Sequence, residues 1–539
     1  MASDSTVITL KSTRDPNETS NSTLIDEDVA LLASLGYKQE FKRVFSKLEV
    51  FGIGFSIIGV LPSMASVLVY SIPNGGASAM VWGWATCGIF LMFIALAMAE
   101  LGSIAPTSGG LYYWTFMFSS PRWRCYLSWI VAYSNTIANI SALASVDWGC
   151  SRQIMAAVSI ASGRKFETTT AQTFGLYCAL LLSHGFICGL NPAIIARLQT
   201  PYVVVNILLC LAIAISLPAV TPSEFMNNAE YAFGDFTNLT GWSDGYAFIL
   251  SFLSPLWTIG AFDATVHISE EARNANVAIP FAIVLAAFSS AVLGWAVNVA
   301  LAFCMGNDLE SIINNPIGHP MATILFNSLG QKGTLVIWLF IVIVQYTMGS
   351  SLTTCSRQIF AFARDGGMPL SQWLYNVDHR THSPITCVWF AVFLSFLLGL
   401  LAFAGDAAIG AVFSLVVVGQ YVAYSIPIVS RFLIGKEIKR GPFSLGCFSL
   451  PVAIVAVTWM AFITVVFFFP LNPNPKATDM NYAVVVFGGT LLMVTAYFYM
   501  PKYGGRYWFK GPINTLNYAP EIPDGNNNSQ AEKEHLQVQ

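Results

Sequence analysis

Residues 254–275 read SPLWTIGAFDATVHISEEARNA. The stretch continues an apolar run that begins near Tyr246, then admits Gly260, Asp263, His267, Glu270 and Glu271. An acidic side chain inside a membrane span costs roughly 2.5–3.5 kcal/mol on insertion scales, so by default it marks a site. Whether this run is a span at all decides the fold.

The rest of the chain answers that it is. Hydrophobic residues make up 55% of the 539 positions and charged residues only 10%, with a mean hydropathy of +0.61. Soluble domains carry about 25% charged residues. The apolar residues come in blocks of about 20, the length that crosses a ~30 Å hydrocarbon core as a helix. The blocks predict an all-α membrane protein of twelve spans, near 49–70, 78–102, 125–150, 172–190, 198–219, 246–268, 280–305, 333–357, 384–403, 406–430, 448–470 and 481–501. Residues 1–48 read as a polar N-terminal tail, 49–501 as one membrane domain, and 502–539 as a disordered polar C-terminal tail.

Charge sets the orientation. With the N-terminus inside, all but five of the 26 basic residues face the cytoplasm, the exceptions being Arg152, Arg164, Lys165, Lys332 and Lys476. The reverse topology inverts the positive-inside rule, so both termini are expected in the cytoplasm. Asn238-Leu239-Thr240 then lies on an outer loop as a glycosylation sequon, while Asn17, Asn21 and Asn527 face the cytosol. A net charge of −3 offers nothing to nucleic acid. The ten cysteines are dispersed without Cys/His clustering, so they read as small buried apolar residues and no metal is expected.

The first span, FGIGFSIIGVLPSMASVLVY (51–70), carries Gly59 and Pro62; the sixth carries Pro255 and Gly260. Interrupted spans in matching positions of two halves are the best sequence pointer to a transporter site. Unwound backbone survives at membrane depth only where it is buried in protein or lines a cavity. There, half-helix N-termini attract a carboxylate and freed carbonyls hold an ammonium group. The plainer alternative is a pair of packing kinks.

Several segments carry a recognisable pattern. AELGSIAPTSGGLYYW (99–114) resembles the signature following the second span of amino acid permeases in the amino acid–polyamine–organocation superfamily. GFSIIGVLPS (54–63), FDATVHISEEARNANVAIP (262–280) and SRQIFAFARDGGMPLS (356–371) are similar to its fungal GABA permease and amino acid/choline branch. The resemblance spans roughly residues 26–510. It implies two inverted five-helix repeats plus two helices, alternating access, and proton-driven uptake without a cofactor. It also implies a substrate site at the two breaks, against Ser56, Ile58, Gly59 and Val60 on the first and Trp257, Gly260, Ala261, Phe262 and Asp263 on the second. Many superfamily members carry a Gly-Ser/Ala-Gly triplet at the first break. Here Ser56-Ile57-Ile58-Gly59-Val60 has one glycine, which leaves room for GABA-like or choline-like substrates whose carboxylate is distant or absent.

Single residues then take expected roles. Asp263 attracts a cationic group or carries the coupling proton, or caps the inner half-helix. His267, four residues on, shares its face and could relay that proton. Glu100 and Glu270 are candidates for an inner gate, Glu100 through Arg357 or Arg364, with interfacial solvation as the alternative for each. Trp257 could stack on an ammonium group or simply pack. Asp147 and Arg152 are expected to pair near the outer end of span three. A membrane enzyme would need a polar catalytic cluster, which the six histidines do not form. A channel would need a continuous polar lining, and a nutrient sensor a long cytosolic extension. The plasma membrane fits better than the vacuole.

Overall fold

The computed structural model describes residues 27–190, 192–433, 440–470, 472–476 and 480–516. The sequons at Asn17, Asn21 and Asn527 lie outside them. The described residues are helical throughout, with only isolated bridges such as Phe45–Ala272. Ten helical segments are long and apolar enough to cross a membrane, beginning with Lys47–Ser71 and ending with Gly446–Val466. Two further helices complete the bundle. Arg124–Ala161 runs 38 residues, longer than the span expected at 125–150, and Ala483–Tyr499 is a shorter apolar helix.

Small residues let these helices approach closely, as association in lipid requires. A Cβ at Gly294 would stand 2.0 Å from the Trp84 ring, and one at Gly419 2.9 Å from the Ala138 Cβ. Gly294 thereby seats Gly76–Ile104 against Ala275–Cys304, and Gly419 seats Asp406–Leu433 against the 38-residue helix. Large apolar side chains such as Phe186, Ile215, Phe288 and Leu492 are left exposed on the outside of the bundle, where acyl chains would cover them.

Both sequence-predicted interruptions are present, with their prolines in an unexpected role. The first span divides into Lys47–Ile58 and Val60–Ser71 at Gly59, whose φ of 47° is left-handed. A Cβ there would also fall 2.4 Å from the Met348 sulfur, so the position demands glycine on two counts. Pro62 is not the breaker. It occupies the first turn of the second half-helix, where a missing N–H costs nothing. Pro255 likewise stands in the first turn of Leu253–Ile259. The sixth span then tightens into a 3₁₀ turn at Gly260–Asp263, with Ala261 off helical geometry, before Ala264–His267 resumes.

The polar ends are less free than their composition suggests. Asp28 accepts from the Asn274 and Ala275 N–H groups at 2.6 and 3.0 Å, capping the Ala275–Cys304 helix from the N-terminal segment. Arg43 donates to the Ala272 carbonyl at 2.6 Å. At the other end, residues 502–516 carry a short helix, Gly505–Trp508, and bury Phe509. The tail expected at 502–539 therefore begins with a docked segment.

Candidate functional site at the paired helix breaks

The two breaks meet. Lys47–Ile58 packs against the Gly260–Asp263 turn, and a Cβ at Gly54 would stand 2.8 Å from Thr265 Cγ2. Ser56, Ile58, Gly59, Val60, Gly260, Phe262 and Asp263 are all buried there; Ala261 is half-buried. The freed Ile58 carbonyl accepts from the Ser63 hydroxyl at 2.6 Å, and the Gly260 carbonyl from Tyr424 at 3.1 Å. Val60 and Leu61 head the second half-helix, so their amides have no intrahelical acceptor, and Pro62 has no amide to offer.

Asp263 lies 1% exposed near the Tyr424 hydroxyl, which donates instead to the Gly260 carbonyl, and no aligned hydrogen bond reaches either carboxyl oxygen. His267 Nε2 stands 3.7 Å from Oδ2. The ring is fixed on both sides, with Nδ1 2.9 Å from the Ser108 carbonyl and Nε2 2.9 Å from the Asn135 amide. A carbonyl can only accept, so Nδ1 carries the proton and Nε2 accepts from Asn135. Ser108 in turn donates its own N–H to Glu270 at 3.0 Å. A hydrogen-bonded chain thus runs from His267 through Ser108 to Glu270, with Asp263 3.7 Å from its first member.

Glu270 and Glu271 are not solvated at a surface. Glu270 makes a two-pronged pair with Arg364 at 2.9 and 3.0 Å, and Glu271 accepts from Arg357 at 2.8 Å, all four side chains being buried. Burial pushes Glu270 up, but the Arg364 guanidinium and the Ser108 N–H outweigh it and hold the carboxyl below its ordinary range. For Glu271 burial wins over Arg357 and the carboxyl is raised. Glu100 pairs elsewhere than expected: Arg431 reaches it at 2.7 Å, with Ser449 donating at 2.8 Å. Arg357 and Arg364 were the expected partners, but both are taken by the 270–271 pair.

Beside these ion pairs, Asp365 gathers three segments distant in sequence. Tyr37 and Tyr112 donate their hydroxyls at 2.8 and 2.7 Å, and the Ile513 N–H donates at 3.0 Å. Burial pushes the Asp365 carboxyl up to about 6, against the lowering effect of Arg364 and of these donors.

At the opposite end of the bundle a cavity of about 510 Å³ opens between Tyr70, Trp148, Arg152, His319, Asp406 and Phe413. Phe413 lines it and packs on Trp257, the rings 5.1 Å apart, and the Trp257 N–H donates to Ser145 at 3.1 Å. Trp257 stands behind Phe413, on the helix that runs from Leu253 in the cavity lining to Gly260 at the second break. Arg152 does not pair with Asp147; it donates to the Gly318 carbonyl at 3.0 Å. Asn238 donates its amide to the Trp242 carbonyl at 2.6 Å and to Asp244 at 3.1 Å.

One participant had only a faint sequence signal. The Pro320–Arg364 segment is interrupted by a 3₁₀ turn at Met348–Ser350, and Met348 packs on Gly59 and Ser63. The run MGSS (348–351) lacks proline and does not stand out among other small-residue runs.

Comparison with known proteins agrees with this architecture. A family model described as amino acid permease matches residues 45–490. The GABA-specific permease of Saccharomyces cerevisiae is 37% identical over 498 residues, 91% of this chain and 86% of the relative. Amino-acid permease 2 of Neurospora crassa is 34% identical over 496 residues, covering 92% and 90%. An uncharacterised amino-acid permease of Schizosaccharomyces pombe is 37% identical over 502 residues, covering 93% and 92%.

Proposed function

Because the chain belongs to the amino acid permease family, we propose that it is a proton-coupled secondary transporter of a GABA-like, neutral or basic amino acid, working by alternating access. The ten long apolar helices, the 38-residue helix and the final apolar helix together support twelve spans, read as two inverted five-helix repeats and two added helices. The distribution of Lys and Arg supports an inner Glu270 end, an outer Arg152 end and cytoplasmic termini. On that reading the conformation is closed inside and open outside as far as Phe413, and the protein works in the plasma membrane.

The observation that carries this reading is the juxtaposition of the two breaks around an unsatisfied buried carboxyl, Asp263. The Val60 and Leu61 amides provide a half-helix N-terminus for a substrate carboxylate. Asp263 and the Gly260 carbonyl receive its ammonium group. Substrate arriving from the outer cavity must displace Phe413 and Trp257 to reach them. On inward opening, the Glu270–Arg364 and Glu271–Arg357 pairs separate. The chain through His267 and Ser108 links occupancy at Asp263 to the first of those pairs.

A choline-like organic cation is a second reading, favoured by the single glycine at the first break. The test is uptake of labelled GABA, neutral and basic amino acids and choline in permease-deficient cells, with and without a protonophore. Protonophore-sensitive accumulation of an amino acid is expected. Accumulation of choline alone favours the second reading. No accumulation of any, with the protein confirmed in the membrane, overturns both.

A further inference from the structure

Asp147 and His184 form a second buried carboxyl–imidazole pair, away from the helix breaks. Asp147 projects from the 38-residue helix and His184 from Thr170–Cys188, with Nδ1 of the ring 2.9 Å from Oδ1. The side chains are 0% and 3% exposed. Among the described residues no aligned hydrogen bond reaches either Asp147 oxygen or the facing Nδ1, so the 2.9 Å approach is a contact of charges rather than a directed bond. The second ring nitrogen, Nε2, lies 3.0 Å from the Tyr346 carbonyl.

These contacts determine how many protons the pair holds. The Tyr346 carbonyl can only accept, so Nε2 carries a hydrogen. Nδ1 therefore faces the carboxyl either with a second hydrogen, as an imidazolium against a carboxylate, or as an acceptor from a protonated carboxyl. At 2.9 Å the pair is close enough to share one exchangeable proton, held on the ring or on the carboxyl. Without it, a carboxylate would be left buried beside a neutral ring with no hydrogen bond to either oxygen, where its charge is poorly screened.

The pair is also tied to moving parts. The imidazole lies against Gly349, where a Cβ would be 2.3 Å from the ring. Gly349 belongs to the Met348–Ser350 turn, and the neighbouring Met348 fills the space at Gly59. If the proton leaves, the ring must turn away from Asp147, and the Tyr346 carbonyl and the turn carrying Met348 lose their support. A cavity of about 40 Å³ lined by His184, Tyr202 and Tyr346 gives the ring a route for that proton, with room for water. The other titratable groups facing the pair are Cys150, Tyr177, Cys188 and Tyr346. Among the described residues the cation near them is Arg357, which is held by Glu271.

We propose that the Asp147–His184 pair is the site of the coupling proton, bound in the outward-facing state and released in the inward-facing one. The proposal rests on the transport reading above, and it separates the proton from the substrate's contact with Asp263.

The test uses the full-length protein in liposomes, with labelled GABA or whichever labelled amino acid accumulates in cells. Gradient-driven uptake and counterflow without a gradient are measured side by side. One proton per substrate makes a gradient of one pH unit worth about tenfold accumulation. Asp147→Asn and His184→Gln are expected to lose that tenfold while counterflow stays within about twofold. The exchanged pair, Asp147→His with His184→Asp, keeps one shared proton and is expected to recover part of the gradient response. Gradient-driven uptake at the unmutated level in either single variant overturns the proposal. So does equal loss of both readouts in a folded variant, which signifies a structural role. Counterflow without any gradient response in the unmutated protein removes the coupling itself; absence of both there defeats the transport reading instead. If the variants do not fold, nitrogen-15 histidine spectra of the unmutated protein decide. A histidine whose Nε2 hydrogen exchanges slowly with water, as a buried ring's does, should change at Nδ1 with pH, and a spectrum in which no slowly exchanging histidine responds contradicts the proposal.

Discussion

Gly59 shows how much a single position can carry. Its left-handed backbone and the nearby Met348 sulfur both exclude a side chain. The backbone penalty alone is about 1–2 kcal/mol for a non-glycine residue. Gly59→Ala is therefore expected to lower the melting temperature and to cut uptake more than tenfold. A variant that melts and transports like the unmutated protein would contradict the assigned packing. The residue level is also where sequence reading was most uneven. Gly59, Gly260 and Asp263 were legible because glycine and aspartate are conspicuous in an apolar run. Pro62 misled, since its position in a half-helix depends on where the helix restarts. Glu100 was assigned to the wrong arginine, because its true partner Arg431 lies over 300 positions away and competes with two others for the same kind of contact.

At the scale of elements, the buried ion pairs hold the sixth and eighth spans together at the Glu270 end. Removing one partner of a buried pair costs about 3–5 kcal/mol because the other charge is left uncompensated. Arg364→Ala is expected to open this end, raising the reactivity of a cysteine placed at Ser108 toward a membrane-impermeant thiol reagent added from the Glu270 side. Adding Glu270→Gln to it should restore part of the protection. Unchanged reactivity in both would count against a gate here.

The Asp365 cluster joins the N-terminal segment, the 111–118 helix and the docked C-terminal segment, and its stability is pH-dependent. With its carboxyl raised to about 6 from an ordinary 3.8, the docked state holds a proton more firmly than the released one. The stabilising effect is complete below the ordinary value and is lost as pH rises through about 6. Hydrogen exchange in 27–46 and 502–516, corrected for intrinsic rates, should therefore slow as the cytoplasmic face is acidified from neutrality. Asp365→Asn should abolish that dependence. None of this docking was legible from composition, because polar segments look solvated until their backbone partners are known. The Met348–Ser350 turn was missed for a related reason: its role comes from what touches it.

At the scale of the molecule, the arrangement is asymmetric. A cavity of about 510 Å³ opens at one end and stops at Phe413, while paired charges and docked terminal segments close the other. A secondary transporter needs such a state and its opposite, with one site exposed to each side in turn. The helical membrane class and the paired interruptions followed from hydropathy and glycine placement. The direction in which this conformation opens did not, since it depends on contacts between distant segments. Central to the account is that Asp263, at the meeting point of the breaks, receives the substrate's charge. The most direct test is uptake by Asp263→Asn in permease-deficient cells, beside the unmutated protein, with both confirmed in the membrane. The account predicts that the variant folds, reaches the membrane and fails to concentrate any substrate the unmutated protein accumulates. Normal accumulation by the variant would contradict it.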